Sequence, residues 1–144
     1  HYIPMKSLLY TLLTALLLLI STNMGAQEHF NPAKFNAGLQ SYITKKARLT
    51  PAEANAFFPI YQEMNSKLRG MHTQLKALQR QKPRSENECL SYLHKQDKLN
   101  IQMKQTEQSY HLRMLKVVSA SRLYSILEAE RQYFRAAFKK AAQR

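Results

Sequence analysis

Histidines are the residues with most chemistry to offer here, as metal ligands or as proton carriers near neutral pH. His29, His72, His94 and His111 are spread over the chain with no second His or Cys at ligand spacing. The best local pairs are Glu107 with His111, four residues apart on one helical face, and His94 with Asp97. A zinc site needs three or four protein ligands, and one helix supplies only two at such spacing. Glu107 and His111 are therefore weak metal candidates, and the sequence implies no cofactor. The single thiol, Cys89, rules out an internal disulfide. Burial in a helix is its expected fate, with pairing between subunits as the alternative.

Catalytic signatures are missing. There is no Gly-rich phosphate loop, no His-Glu-x-x-His run and no Gly-x-Ser-x-Gly elbow, which are the spacings that place phosphate donors, zinc ligands or a nucleophile. The nine acids sit mostly where caps and helical ion pairs need them, as Glu63 does four residues before Lys67. The expectation is a protein that is not an enzyme, so faces matter more than single residues.

The segment that opens at Met5 has one cation, Lys6, an apolar stretch from Leu8 to Ile20, then Ser21, Thr22 and Asn23. That order is the one of a secretory signal peptide. The stretch falls short of the ~20 residues that a spanning helix needs. Residues 1–26 read as a signal peptide cut after Ala26, with His1 to Pro4 outside the native start, and residues 27–144 as a single helical domain. A periplasmic location follows. Setting Lys6 aside leaves 21 Lys and Arg against 9 acids, and the net charge goes from +13 to +12. The partner is expected to be anionic or to have acidic segments. Export argues against nucleic acid and leaves a membrane surface, approached but not spanned, as a second anionic candidate.

The elements follow from punctuation and period. Asn31 and Pro32 open a first helix that carries Phe35, Leu39, Tyr42 and Ile43 on one face and ends near Arg48. Thr50-Pro51-Ala52-Glu53 is a capping box. Behind it Phe57, Tyr61, Met64, Leu68, Met71, Leu75 and Leu78 recur at spacings of four and three, the seam of a helix packed along another. This second helix is expected to reach Lys82, with a kink near Ala56 caused by Pro59. Ser85-Glu86-Asn87-Glu88 reads as a second capping box. It opens a third helix with Tyr92, Leu99, Met103, Tyr110, Met114 and Val117 on its seam, and with Leu90, Leu93, Ile101, Leu112 and Leu115 broadening its apolar surface. The two long helices form an antiparallel hairpin. After Val118-Ser119-Ala120-Ser121 a last amphipathic helix carries Leu123, Ile126, Leu127, Phe134, Ala137 and Phe138. The fold class is all-α, with about four helices.

Leu49, Thr50, Pro51 and Glu53, at the start of a long helix that follows a short one, resemble the Leu-Thr-x-x-Gln motif of the Spy/CpxP family of periplasmic stress proteins. Phe57-Phe58-Pro59-Ile60-Tyr61 is similar to the stretch that follows the motif in small exported relatives. Glu53 departs from the family's glutamine, and Val118 to Leu123 stands where a second, here degenerate, copy belongs. The resemblance implies a homodimer shaped as a thin curved cradle and an ATP-independent chaperone role, with unfolded or partially folded envelope proteins as clients. Some relatives instead sense metal or bind a membrane partner, so a sensor or regulatory accessory protein is the alternative. The candidate client-binding surface combines cations for capture with Met and aromatic side chains for adhesion: Lys45, Lys46, Arg48, Phe57, Phe58, Tyr61, Met64, Lys67, Arg69 and Met71.

Overall fold

A computed structural model describes residues 30–144, which form four helices and no strand. They are α1 (Pro32–Lys46), α2 (Pro51–Gln79), α3 (Glu86–Met114) and α4 (Ala120–Ala142). The fold is all-α. Residues Asn36–Arg144 make one compact unit. No described helix is long and apolar enough to cross a membrane. The expected signal segment lies outside the described residues.

The helix ends are built by local hydrogen bonds. Asn31 Oδ1 accepts the Lys34 amide at 3.2 Å and so starts α1. At the other end of α1, Arg48 sits in the left-handed region at φ 53°. The Leu49 amide then reaches back to the Thr44 carbonyl at 3.0 Å and the Arg48 amide to the Lys45 carbonyl at 3.4 Å. This is a Schellman ending, which usually places glycine where Arg48 stands. Its apolar residue, Leu49, is buried. The capping box of α2 is complete, with Thr50 Oγ1 accepting the Glu53 amide and Glu53 Oε1 accepting the Thr50 amide, both at 3.1 Å. The box expected at α3 is only half formed. Ser85 Oγ accepts the Glu88 amide at 3.1 Å, but the Glu88 carboxylate bonds the Arg84 amide at 2.7 Å instead of the Ser85 amide. α4 opens on Ser119, whose hydroxyl accepts the Arg122 amide at 3.2 Å.

α2 ends at Gln79, three residues before the expected Lys82, and runs unbroken through Pro59. The helix tolerates the proline because Pro59 and Asn55, whose carbonyl loses its donor, are both exposed, so water replaces the missing bond. Cross-helix contacts set the antiparallel register of the hairpin: Glu63 opposite Arg113, Lys67 opposite Tyr110, Met71 opposite Thr106.

The core lies at the open end of this hairpin. Phe57, Tyr61 and Met64 of α2 meet Tyr110 and Met114 of α3, Val118, Leu39 and Ile43 of α1, and Leu123, Ile126 and Ala129 of α4. Leu78 and Met103 are buried nearer the tip, outside that cluster. α1 and α4 run antiparallel to each other. The Tyr42 hydroxyl donates to Gln132 Oε1 at 3.2 Å, and the Tyr42 and Tyr133 rings lie 5.5 Å apart. Gly38 makes room for Tyr133, whose hydroxyl would stand 2.5 Å from any Cβ there. Arg122 joins three elements: its Nη1 donates to the Ala47 carbonyl past the end of α1 at 2.7 Å, and its Nε lies 3.6 Å from Glu53 in the first turn of α2.

Candidate functional site

The expected client-binding surface divides into core and periphery. Phe57 is 0% exposed, and Tyr61 and Met64 are buried beside it. They cannot contact a partner while the fold is intact, which corrects their place on that surface. The same spacing that makes a seam hides it, because a seam residue faces the neighbouring helix. Phe58 is half-buried, edge-on to Phe57 at 5.2 Å, and Met71 is half-buried under the Thr106 hydroxyl. Lys45, Lys46, Arg48, Lys67 and Arg69 are exposed. Lys67 lies over the Tyr110 ring at 5.3 Å, and Arg113 lies over the same ring at 4.8 Å while pairing with Glu63 at 3.0 Å. Hydrogen bonding from Arg113 holds the Glu63 carboxyl below its ordinary value.

The motif residues serve local structure. Leu49 is core, Pro51 occupies the first turn of α2, and Thr50 and Glu53 satisfy each other's amides. The Thr50 amide, with help from Arg122, holds Glu53 below the ordinary carboxylate range.

Glu107 and His111 are half-buried on α3, and among the described residues no three of His, Cys, Asp and Glu come together as a metal site. Their charges reach Glu130 of α4. The Tyr61 hydroxyl donates to Glu130 Oε2, tying α2 to α4 beneath the surface. Burial, with the charge of Glu107 adding to it, pushes Glu130 above the usual carboxylate value, while the Tyr61 bond and His111 pull it down. Burial and the Glu130 charge push the Tyr61 phenol up in turn, so it stays a donor. A phenol and a carboxylate so placed hold two helices together.

Two outward faces remain. Within α3, Lys95, Lys98, Lys104 and Arg113 are matched one for one by Glu86, Glu88, Asp97 and Glu107. Leu90, Leu93, Ile101, Leu112 and Leu115 are between 42 and 60% exposed. At about 100° per residue they fall within an arc of about 100° on the side of α3 that faces away from α2. They were expected to broaden the seam; they form a separate stripe.

α1 carries Lys34, Lys45 and Lys46 and no acid. α4 carries Arg122, Arg131, Arg135, Lys139 and Lys140 against Glu128 and Glu130. Glu128 is paired with Arg131 and Glu130 is engaged by Tyr61. On the outward arc of α4, Tyr124 and Phe138 are 67 and 73% exposed among Arg131, Arg135 and Lys139. Phe138 was expected on the packed seam and stands in the open instead, because the core cluster ends at Ala129.

Known protein families, curated proteins and solved structures give no match to this chain. The functional reading therefore rests on these faces. Sequence reasoning missed both, and missed Arg122. A helical wheel of α3 would have shown the stripe, whereas the contact of Arg122 with Ala47 spans 75 positions and leaves no local pattern.

Proposed function

We propose that the chain is an ATP-independent, chaperone-like binding protein of the bacterial periplasm that holds partially unfolded envelope proteins. The observation that carries this reading is the α1 and α4 side of the molecule, where cations outnumber acids, Tyr124 and Phe138 stand exposed, and Arg135 and Lys139 flank Phe138. Cations draw in acidic segments over about a Debye length, ~10 Å at 0.1 M salt. Aromatic side chains and the aliphatic stems of Arg and Lys then cover apolar surface that an unfolding protein exposes. Lys45, Lys46 and Arg48 extend the cationic area at the far end of α1. No deep cavity is needed, since the ligand is an extended chain. The likeness of Leu49 to Glu53 to the Spy/CpxP motif supports the same reading, as does the signal-like segment.

The test is aggregation of an acidic, thermally unfolding client followed by light scattering, with the protein added at near-equimolar ratio and no nucleotide. Suppression that weakens as salt is raised is expected. No suppression at low salt refutes the reading. Recovery of one stoichiometric partner from envelope extracts, in place of many substoichiometric ones, would favour a regulatory accessory protein.

A further inference from the structure

The core cluster ends at Ala129, yet α4 continues to Ala142. A helix end that has left the core is expected to be polar on every side that meets water. The end of α4 is not. Phe134, Ala137, Phe138 and Ala141 follow one another at spacings of three, one and three. At about 100° per residue they share an arc of about 100°. Phe138 is 73% exposed and Phe134 36%, and Ala141 lies open in the same row.

Both edges of this stripe are cationic. From Arg131 to Arg144 the chain has five cations and no acid. On the helical wheel Arg131 and Arg135 stand about 20° and 60° beyond Phe138, and Arg144 and Lys140 stand about 20° and 60° beyond Ala137. An apolar stripe between two cationic rows is the cross-section of a helix that lies in the headgroup layer of a bilayer. The rings and methyls enter the acyl boundary. The arginines and lysines keep their stems along the apolar edge and turn their charged heads to the phosphates on either side. A helix end is convex, so a surface that yields around it reaches both rows at once, whereas an extended acidic segment follows one. Two rings bury too little area to hold a protein by themselves, so charge must help, and the surface has to be anionic.

We infer that the last turns of α4 dock reversibly on an anionic phospholipid surface, with Phe134, Phe138 and Ala141 at the acyl boundary and Arg131, Arg135, Lys140 and Arg144 at the phosphates. This contact goes beyond client holding and does not depend on it, since it needs neither Tyr124 nor the cations of α1.

The chain has no tryptophan, so a single indole reports its own surroundings. In the full chain purified from expressing cells, Phe138→Trp fluorescence shifts to the blue when phosphatidylglycerol vesicles are added, and stays in place with phosphatidylcholine vesicles. Ala136→Trp, exposed on the opposite side of the helix, shifts with neither. Co-sedimentation of the unaltered protein with phosphatidylglycerol vesicles exceeds that with phosphatidylcholine about tenfold at low salt, and salt lowers it severalfold. Ala141→Asp, which sets a carboxylate in the stripe, and Lys140→Glu each weaken this binding severalfold. Helical circular dichroism is unchanged in both, and vesicle-free aggregation suppression stays at the level of the unaltered protein. Equal binding to the two lipids, equal blue shifts at positions 136 and 138, or binding that survives Ala141→Asp overturns the inference. So does loss of aggregation suppression together with vesicle binding in Ala141→Asp, which would assign the stripe to unfolded chains.

Discussion

α3 and α4 both leave large apolar side chains in solvent, and they do so in different company. On α3 the exposed residues are aliphatic and the charges cancel; on α4 they are aromatic and the charges are mostly positive. A chain with 22 cations and 9 acids could have spread its excess evenly. Concentrating acids on α3 while leaving α1 without any divides the surface into a charge-balanced face and a basic one. A basic face repels like-charged chains and attracts anionic ones, whereas a balanced face does neither. The difference teaches that net charge alone says little about this protein until it is resolved helix by helix.

The largest expected effect comes from removing what supports both faces. Phe57→Ala empties the centre of the core and should cost about 3–5 kcal/mol, read as a lower urea midpoint. Client holding should fall with it under mild denaturant; holding that is unchanged would show that the basic face does not depend on this core. Next, Arg122→Ala removes a charged hydrogen bond to the Ala47 carbonyl and the contact with Glu53, about 2 kcal/mol. It loosens α1 and α4 from α2 and leaves the α3 stripe in place. Client holding should therefore weaken at a lower denaturant concentration than the one that melts the α2 and α3 hairpin.

Arg48→Gly has the opposite sign. A non-glycine residue in the left-handed region costs about 1 kcal/mol, so the variant should be more stable by about that amount in chemical denaturation. It should also hold an acidic client less well, having lost a cation from the basic side. That opposition, more stable but less adhesive, would sharpen the division between scaffold and surface.

The smallest effect is a pH dependence. Glu130 has its folded-state pKa raised, so the fold disfavours its ionised form. That penalty is present above the folded pKa and is relieved as pH falls through it toward the unfolded value. Glu53 and Glu63, held below the ordinary value, work the other way at lower pH, where their protonation removes stability. Mild acidification should thus raise stability slightly before strong acid lowers it. Glu130→Gln should abolish the rise and leave the acid loss, as followed by thermal unfolding between pH 7 and 3.

Four helices, their order and most of their caps were legible in the sequence, because Asn31, Thr50, Ser85 and Ser119 act within three residues of themselves. The seam from Phe57 to Leu78 was legible as a period. Its use as a binding surface was not, since one side chain cannot both fill the core and touch a client. Glu88 shows the limit of local rules: its spacing from Ser85 fits a capping box, yet the neighbouring Arg84 amide takes the carboxylate. The α3 stripe was in the sequence but was merged with the seam, because both faces of that helix are apolar and the moment of one cancels the other. The tie from Tyr61 to Glu130 joins residues 69 positions apart and depends on where α4 docks, which no periodicity encodes.

The central claim is that the basic, aromatic side of α1 and α4 holds unfolding proteins. The most direct measurement is light scattering of an acidic client at its unfolding temperature, comparing the protein with an Arg135→Glu and Lys139→Glu variant at low and high salt. Suppression by the unaltered protein at low salt, reduced severalfold either by salt or by the charge reversal with helical circular dichroism unchanged, is the predicted result. Suppression that is indifferent to both salt and charge reversal would contradict it.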